Sequence, residues 1–339
     1  MAKVIKMEET TSISIEIQPY VQYKKALRRI FLILCLFPIL ALMASIPTMA
    51  YSIFSSFYHT NLSSSSDVYY IFSFALPQIL YPLFTLIAAF IILKITGNKR
   101  SDTFVFKDVH FIDVLLSIAV VLGMGTVGAY ISDFITNMIT QIGIPVPDMS
   151  EFITTPETPF QFCLYLISIA VLPAFCEEMV FRGCICGILK RYNKTAAIVV
   201  SSIAFSLMHA TIQQIPFAFL MGLFLGYLYI KFDSLLPGIL LHFVNNFISC
   251  ILNVAYEDLA EQTYSLITNI YDIATIILGI VALIFFIIRR RRENNQNNDC
   301  DAPSIKGWNL CKHTLASWAL WLFVLIYLFE TAANILLLS

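Results

Sequence analysis

The sequence predicts an all-α fold: a polytopic transmembrane helix bundle of about eight or nine spans with its amino terminus in the cytoplasm. Three observations predict it. Hydrophobic residues make up 58% of the 339-residue chain and charged residues only 13%, against about 45–50% and about 25% in soluble domains. Apolar runs of membrane-spanning length recur along the chain. The basic residues gather on alternate connections between those runs, as the positive-inside rule requires.

The runs can be taken in order. They fall at residues 30–52, 69–93, 111–139, 160–189, 196–210, 215–230, 235–254, 264–288 and 315–338. The fifth and sixth are short, and so are expected either to tilt little or to sit partly buried among their neighbours. With the amino terminus inside, all 21 Lys and Arg fall on cytoplasmic segments or at their helix ends, from Lys3 to Lys312. The opposite loops, near residues 61–67, 147–157 and 257–261, carry acids and no basic residue. A topology shifted by one span would destroy this separation. The first run is preceded by Glu8, Glu9 and Glu16 rather than a short basic stretch, so it reads as a retained helix.

The expected organisation is a polar tail (1–28), an amino-terminal group of helices (29–158), a core of helices (159–254), one further helix (255–289), a charged cytoplasmic linker (290–314) and a last helix (315–339). The eight cysteines are scattered and expected to be free thiols. Gly183-x-x-x-Gly187 and Gly222-x-x-x-Gly226 would let helices approach closely in lipid. The net charge of −1 hides the transverse asymmetry and says nothing about nucleic acid, but no basic patch with interleaved aromatics occurs, so no nucleic-acid partner is expected.

Ionisable residues inside a bilayer are functional candidates, because each costs roughly 2.5–3.5 kcal/mol on insertion scales. Asp113, Asp133, Asp272 and Glu330 are each isolated, and helix-end placement accounts for most of them. Three other groups lie close together in sequence. The fourth run carries Glu177, Glu178 and Arg182, the fifth ends in Phe205 and His209, and the seventh carries His242 and Asn246. Glu178 and Arg182, four apart, suit a same-face ion pair. Glu177 projects about 100° away, toward a different neighbour. At a rise of about 1.5 Å per residue, Glu177, His209 and His242 fall in the inner half to midplane of a core about 30 Å thick.

Singly, each has a structural reading: an ion pair, a helix-end histidine, an interhelical hydrogen bond. Together they suit water activation. A buried Glu can serve as general base and then acid, and Asn with His can stabilise an oxyanion. Two neutral His and a Glu equally suit zinc, with Glu177, His209 and His242 as the ligand candidates. The residues alone do not separate the two.

The ordered set E-E-x-x-x-R, F-x-x-x-H and H-x-x-x-N on successive hydrophobic runs resembles the CPBP family (CAAX processing and bacteriocin protection), which includes the type II CAAX prenyl endopeptidases. The resemblance covers roughly residues 160–250. It implies an intramembrane peptidase acting near the cytoplasmic face. Glu177 would activate water with help from His209, His242 and Asn246 would form the oxyanion site, and Glu178, Arg182 and Phe205 would support them. It leaves the cofactor open between a divalent metal such as zinc and none. The expected partners are membrane lipid and a peptide or protein substrate, prenylated or otherwise membrane-associated. The expected location is the cell membrane in a bacterium or the endoplasmic reticulum in a eukaryote. Family members are linked both to CAAX processing and to bacteriocin immunity, so a non-catalytic immunity or scaffold protein of the same fold is the alternative. A proton-coupled transporter would call for two matching halves, which are not found. HExxH, GxGD and GxSG motifs of other membrane proteases are missing.

Overall fold

The computed structural model describes residues 19–58, 66–147, 154–294 and 307–338. Of these residues 85% are helical and none lies in a strand. Eight helices are long and apolar enough to cross a membrane, and a ninth is shorter. They are α1 (Pro19–Phe57), α2 (Asp67–Thr96), α3 (Phe111–Gln141), α4 (Pro159–Leu189), the short α5 (Lys194–Leu207), α6 (Ile215–Phe232), α7 (Leu236–Asp258), α8 (Glu261–Arg292) and α9 (Trp318–Leu336). The protein is thus a multi-pass membrane protein, and the count agrees with the hydrophobic runs.

Local chemistry sets the helix ends. Thr158 accepts a hydrogen bond from the Gln161 amide and Pro159 opens α4, the position where a missing amide hydrogen does least harm. Asn193 caps α5 through the Ala196 amide. Gly97 closes α2 in the left-handed conformation (φ 73°), and Asp233 does the same for α6 (φ 46°), a role Asp tolerates better than most residues.

Polar contacts between helix ends reveal the up-and-down alternation. At one end, Lys107 and Lys190 both bind Asp233, at 2.5 and 2.7 Å. Arg289 and Arg290, at the end of α8, both bind Asp113 at the start of α3, and Arg29 donates to the carbonyl of Ile95. At the other end, Asp67 accepts hydrogen bonds from Thr158 and Gln161. The basic termini of α2, α4, α6 and α8 therefore share one face.

The structure departs from expectation in three places. Helix α1 reaches back to Pro19, into the segment expected as a tail, because Tyr23, Ala26 and Leu27 are buried against the core; residues 1–18 lie outside the described residues. The expected linker contains a helix, Gly307–Leu315, whose Leu310 is buried; residues 295–306 are outside the described residues. Asp113 is not isolated: it is 3% exposed and neutralised by two guanidinium groups. Asp272 likewise accepts a hydrogen bond from Tyr130.

Helices α5 and α6 form a tight hairpin. A Cβ on Gly222 would sit 3.0 Å from the Cβ of Ser202, and one on Gly226 would sit 3.2 Å from Ile198 Cγ2. The second small-residue motif thus packs these two helices, as its spacing suggests. Helix α5 has 14 residues, about 21 Å at helical rise, and stops short of a full crossing. The turn that follows it is tied to the loop after α3, Gln213 donating to the Pro147 carbonyl at 2.9 Å.

Burial pushes the Asp233 carboxyl up, but Lys107 and Lys190 outweigh it and hold it below the usual carboxylate range. A depressed folded-state value stabilises the fold above the ordinary Asp range, and the benefit is lost as pH falls through it. Asp233→Asn keeps the backbone preference and removes the charge. It should cost about 0.5 kcal/mol at pH 7, the group being half exposed, and the gap should close below about pH 4. Thermal unfolding in detergent across pH checks this; a gap independent of pH would refute the ion-pair account.

Candidate active site

Helix α4 is not a uniform α-helix. Residues Leu166–Val171 and Met179–Cys186 are π-helical and flank the regular segment Leu172–Glu178 that carries both glutamates. Such widened turns often accompany functional sites, and they accompany prolines that interrupt the hydrogen-bond ladder. Here Pro173 opens the regular segment.

Glu178 is fully buried. Its Oε1 accepts from Arg182 Nη1 at 2.7 Å, and both side chains are at most 1% exposed. The same oxygen lies 3.2 Å from His242 Nδ1 on α7. A Cβ on Gly238 would come within 2.7 Å of Glu178 Oε2, so glycine one turn before His242 lets α7 lie directly against this carboxylate. The guanidinium of Arg182 also stacks over the Phe205 ring, 4.3 Å from its centroid, and points Nη2 at the carbonyl of Gly222, at 3.5 Å. Four helices, α4 to α7, converge on this one ion pair.

His242 bridges the two carboxylates. Its Nδ1 faces Glu178 and its Nε2 faces Glu177 Oε2 across 3.8 Å. That Glu177 oxygen is buried with no hydrogen-bond partner, yet 14% of the Glu177 side chain remains exposed. The result is two tiers: Arg182, Glu178 and His242 are buried, while Glu177, His209 and Asn246 are partly accessible.

His209 follows the end of α5. Its Nδ1 lies 2.9 Å from the Phe205 carbonyl, which makes Nδ1 the protonated nitrogen and leaves Nε2 as an acceptor. Phe205 is the shared wall, edge-on to His209 and His242 with ring centroids 5.0 and 5.7 Å away. Ala210, next in the chain, is left-handed (φ 51°), an uncommon state for a residue with a Cβ. Its carbonyl accepts from Asn334 on α9 at 2.9 Å. Asn246 donates through Nδ2 to the Ile169 carbonyl at 3.0 Å, and its Oδ1 accepts from Asn245 at 3.2 Å.

The structure links Glu177, Glu178, Arg182, Phe205, His209 and His242 through the contacts above, while Asn246, one turn after His242 on α7, is placed by its bond to the Ile169 carbonyl. It adds Asn245, which bonds side chain to side chain with Asn246, and Gly238, Ile169 and Asn334, which act through backbone groups or close approach and carry little signal in sequence. Glu330, buried at Oε2 without a hydrogen-bond partner, lies four residues before Asn334 on the same helix face. The metal candidates fare differently. Among the described residues no three His, Cys, Asp or Glu side chains are disposed to hold a metal ion, and His242 is committed to Glu178 through Nδ1. The described cysteines are free.

Residues 159–248 match the family model described as type II CAAX prenyl endopeptidase Rce1-like. The matched segment runs from the start of α4 through Asn246, so it contains both glutamates, both histidines and the asparagine. It covers just over a quarter of the chain. No curated protein and no solved structure matches. The Rce1-like match implies a peptidase of CAAX-protease type, with a peptide or protein substrate at the membrane.

Removing one member of a buried ion pair costs about 3–5 kcal/mol, because the other charge is left uncompensated. Arg182→Ala should lower stability by that order. Arg182→Met combined with Glu178→Leu should recover part of the loss. Thermal unfolding of the single and double variants checks this; a double variant as unstable as the sum of its singles would argue against a coupled pair.

Proposed function

We propose that the protein is an intramembrane endopeptidase that hydrolyses a peptide bond near the cytoplasmic face of the membrane, with Glu177 as general base. The observation that supports this best is the state of Glu177. Its carboxylate is partly reachable, its buried oxygen lacks a hydrogen-bond partner, and His242 faces it from a position held by Glu178.

In the proposed reaction Glu177 takes a proton from water as the oxygen attacks the scissile carbonyl, with His209 Nε2 orienting that water. The carbonyl π electrons move onto oxygen. The resulting oxyanion is met by a hydrogen of the Asn246 amide and by His242 Nε2–H. With a proton on each ring nitrogen, His242 donates to Glu178 through Nδ1, and Arg182, Glu178, His242 and Glu177 sum to zero charge, which a low-dielectric site favours. Glu177 then passes its proton to the leaving nitrogen as the C–N bond breaks, giving an acid and an amine. The role of His242 is shared: it belongs to the oxyanion site with Asn246 and to the glutamate pair at once.

The clustering of basic helix ends on the face that carries Lys107, Lys190, Arg289 and Arg290 supports a cytoplasmic orientation for that face. Helix α5 starts at that face, and His209 follows its end, about 21 Å along at helical rise. A prenylated peptide is the substrate class the Rce1-like resemblance favours.

The test is cleavage by the purified protein in detergent, using a prenylated CAAX peptide and a library of unmodified peptides, with and without chelator. Glu177→Gln should lower kcat on the order of 10²–10⁴-fold. Asn246→Ala should lower it on the order of 10²–10³-fold with little change in KM. A Glu177→Gln protein that cleaves at the wild-type rate would refute the assignment of the base.

A further inference from the structure

We propose that Pro173 is a positioning residue for Asn246: by withholding an amide hydrogen from the Ile169 carbonyl, it leaves that carbonyl to the Asn246 side chain and so aims the Asn246 amide. The catalytic consequence rests on the peptidase reading above; the structural coupling does not.

In a regular α-helix the carbonyl of residue 169 accepts from the amide of residue 173. Residue 173 is proline, which has no amide hydrogen and whose ring crowds the carbonyl four residues back. The chain responds by widening. Leu166–Val171 is π-helical, and the Leu172 amide bonds to Ile167, five residues back. Asn246 Nδ2 then donates to the Ile169 carbonyl at 3.0 Å, across from α7 to α4. Asn245 holds the other end of the amide, donating to Asn246 Oδ1 at 3.2 Å. A primary amide has two N–H hydrogens. One is fixed on Ile169, and the plane so defined sets the direction of the second, the one the proposed oxyanion needs. Pro173 thus turns an internal helix acceptor into a socket for a residue of another helix. It lies one turn before Glu177, so the same proline could instead act by aiming Glu177, and the test must separate the two routes.

The experiment compares wild type, Pro173→Ala, Asn246→Ala and the double variant. Thermal unfolding in detergent is the first readout. Pro173→Ala supplies the missing amide, so Tm should rise. Asn246→Ala should lower Tm in the wild-type background, where it strands the Ile169 carbonyl, and much less in the Pro173→Ala background, where residue 173 can satisfy it. An equal drop in both backgrounds overturns the proposal. Pro173→Ser, which restores the same amide, must reproduce the pattern and covers the case in which Pro173→Ala does not fold.

Turnover of a prenylated CAAX peptide is the second readout. Pro173→Ala should lower kcat on the order of tenfold to a hundredfold, the scale of a misplaced catalytic group, with KM unchanged. That loss should vanish in the Asn246→Ala background. Losses that multiply independently would place the effect on Glu177 and overturn the proposal. If wild type cleaves no peptide, the peptidase reading fails, and the thermal cycle still decides whether Pro173 positions Asn246.

Discussion

The structure depends on how one buried carboxylate is neutralised. Glu178 has no access to solvent, and an ionised carboxylate so placed is tolerated only when paired and hydrogen-bonded. Arg182 supplies the charge from one turn along α4, and His242 supplies a second partner from α7. Arg182 in turn needs the Phe205 face and the Gly222 carbonyl. Satisfying Glu178 therefore fixes the relative placement of α4, α5, α6 and α7. Glu177, adjacent in sequence but turned about 100° around the helix, inherits a defined position without being consumed by pairing.

Backbone irregularity does the remaining aiming. Widened turns in α4 lie on both sides of the glutamates, and a left-handed Ala210 directly follows His209. Each departs from the regular hydrogen-bond ladder, and two of the three are met from another helix: Asn246 reaches Ile169, and Asn334 reaches Ala210. The last helix lies far outside the Rce1-like segment, yet it holds the turn that presents one of the two histidines. The recognisable segment is thus not a self-sufficient unit.

Much of this was legible in the sequence, for reasons that differ by residue. Apolar runs and charge segregation reveal spanning helices because lipid imposes length and polarity so strictly. The six polar site residues stand out because polar groups within apolar runs are rare. Gly222 and Gly226 are readable as packing residues from their spacing alone. Other features were not legible. Asp113 reads as a helix-end acid because its partners lie 176 residues away. The burial of Tyr23 and Leu27 depends on a helix that only tertiary contacts extend. Asn334 and Ile169 act on or through backbone carbonyls, which every residue has, so side-chain identity gives no cue. The bridging of both glutamates by His242 is a matter of side-chain direction within a helix face, finer than periodicity resolves.

Helix α5 is too short to span the bilayer, and this has a consequence for hydration. In the proposed reaction a water must reach Glu177 and His209 through a medium that excludes it. Measured from the face where α5 starts, its 14 residues put the polar groups beyond its tip about 21 Å away, short of the full core thickness. The local thickness of membrane to be wetted is then set by the protein's own truncated helix, and the surrounding lipid has little say in how far water must travel.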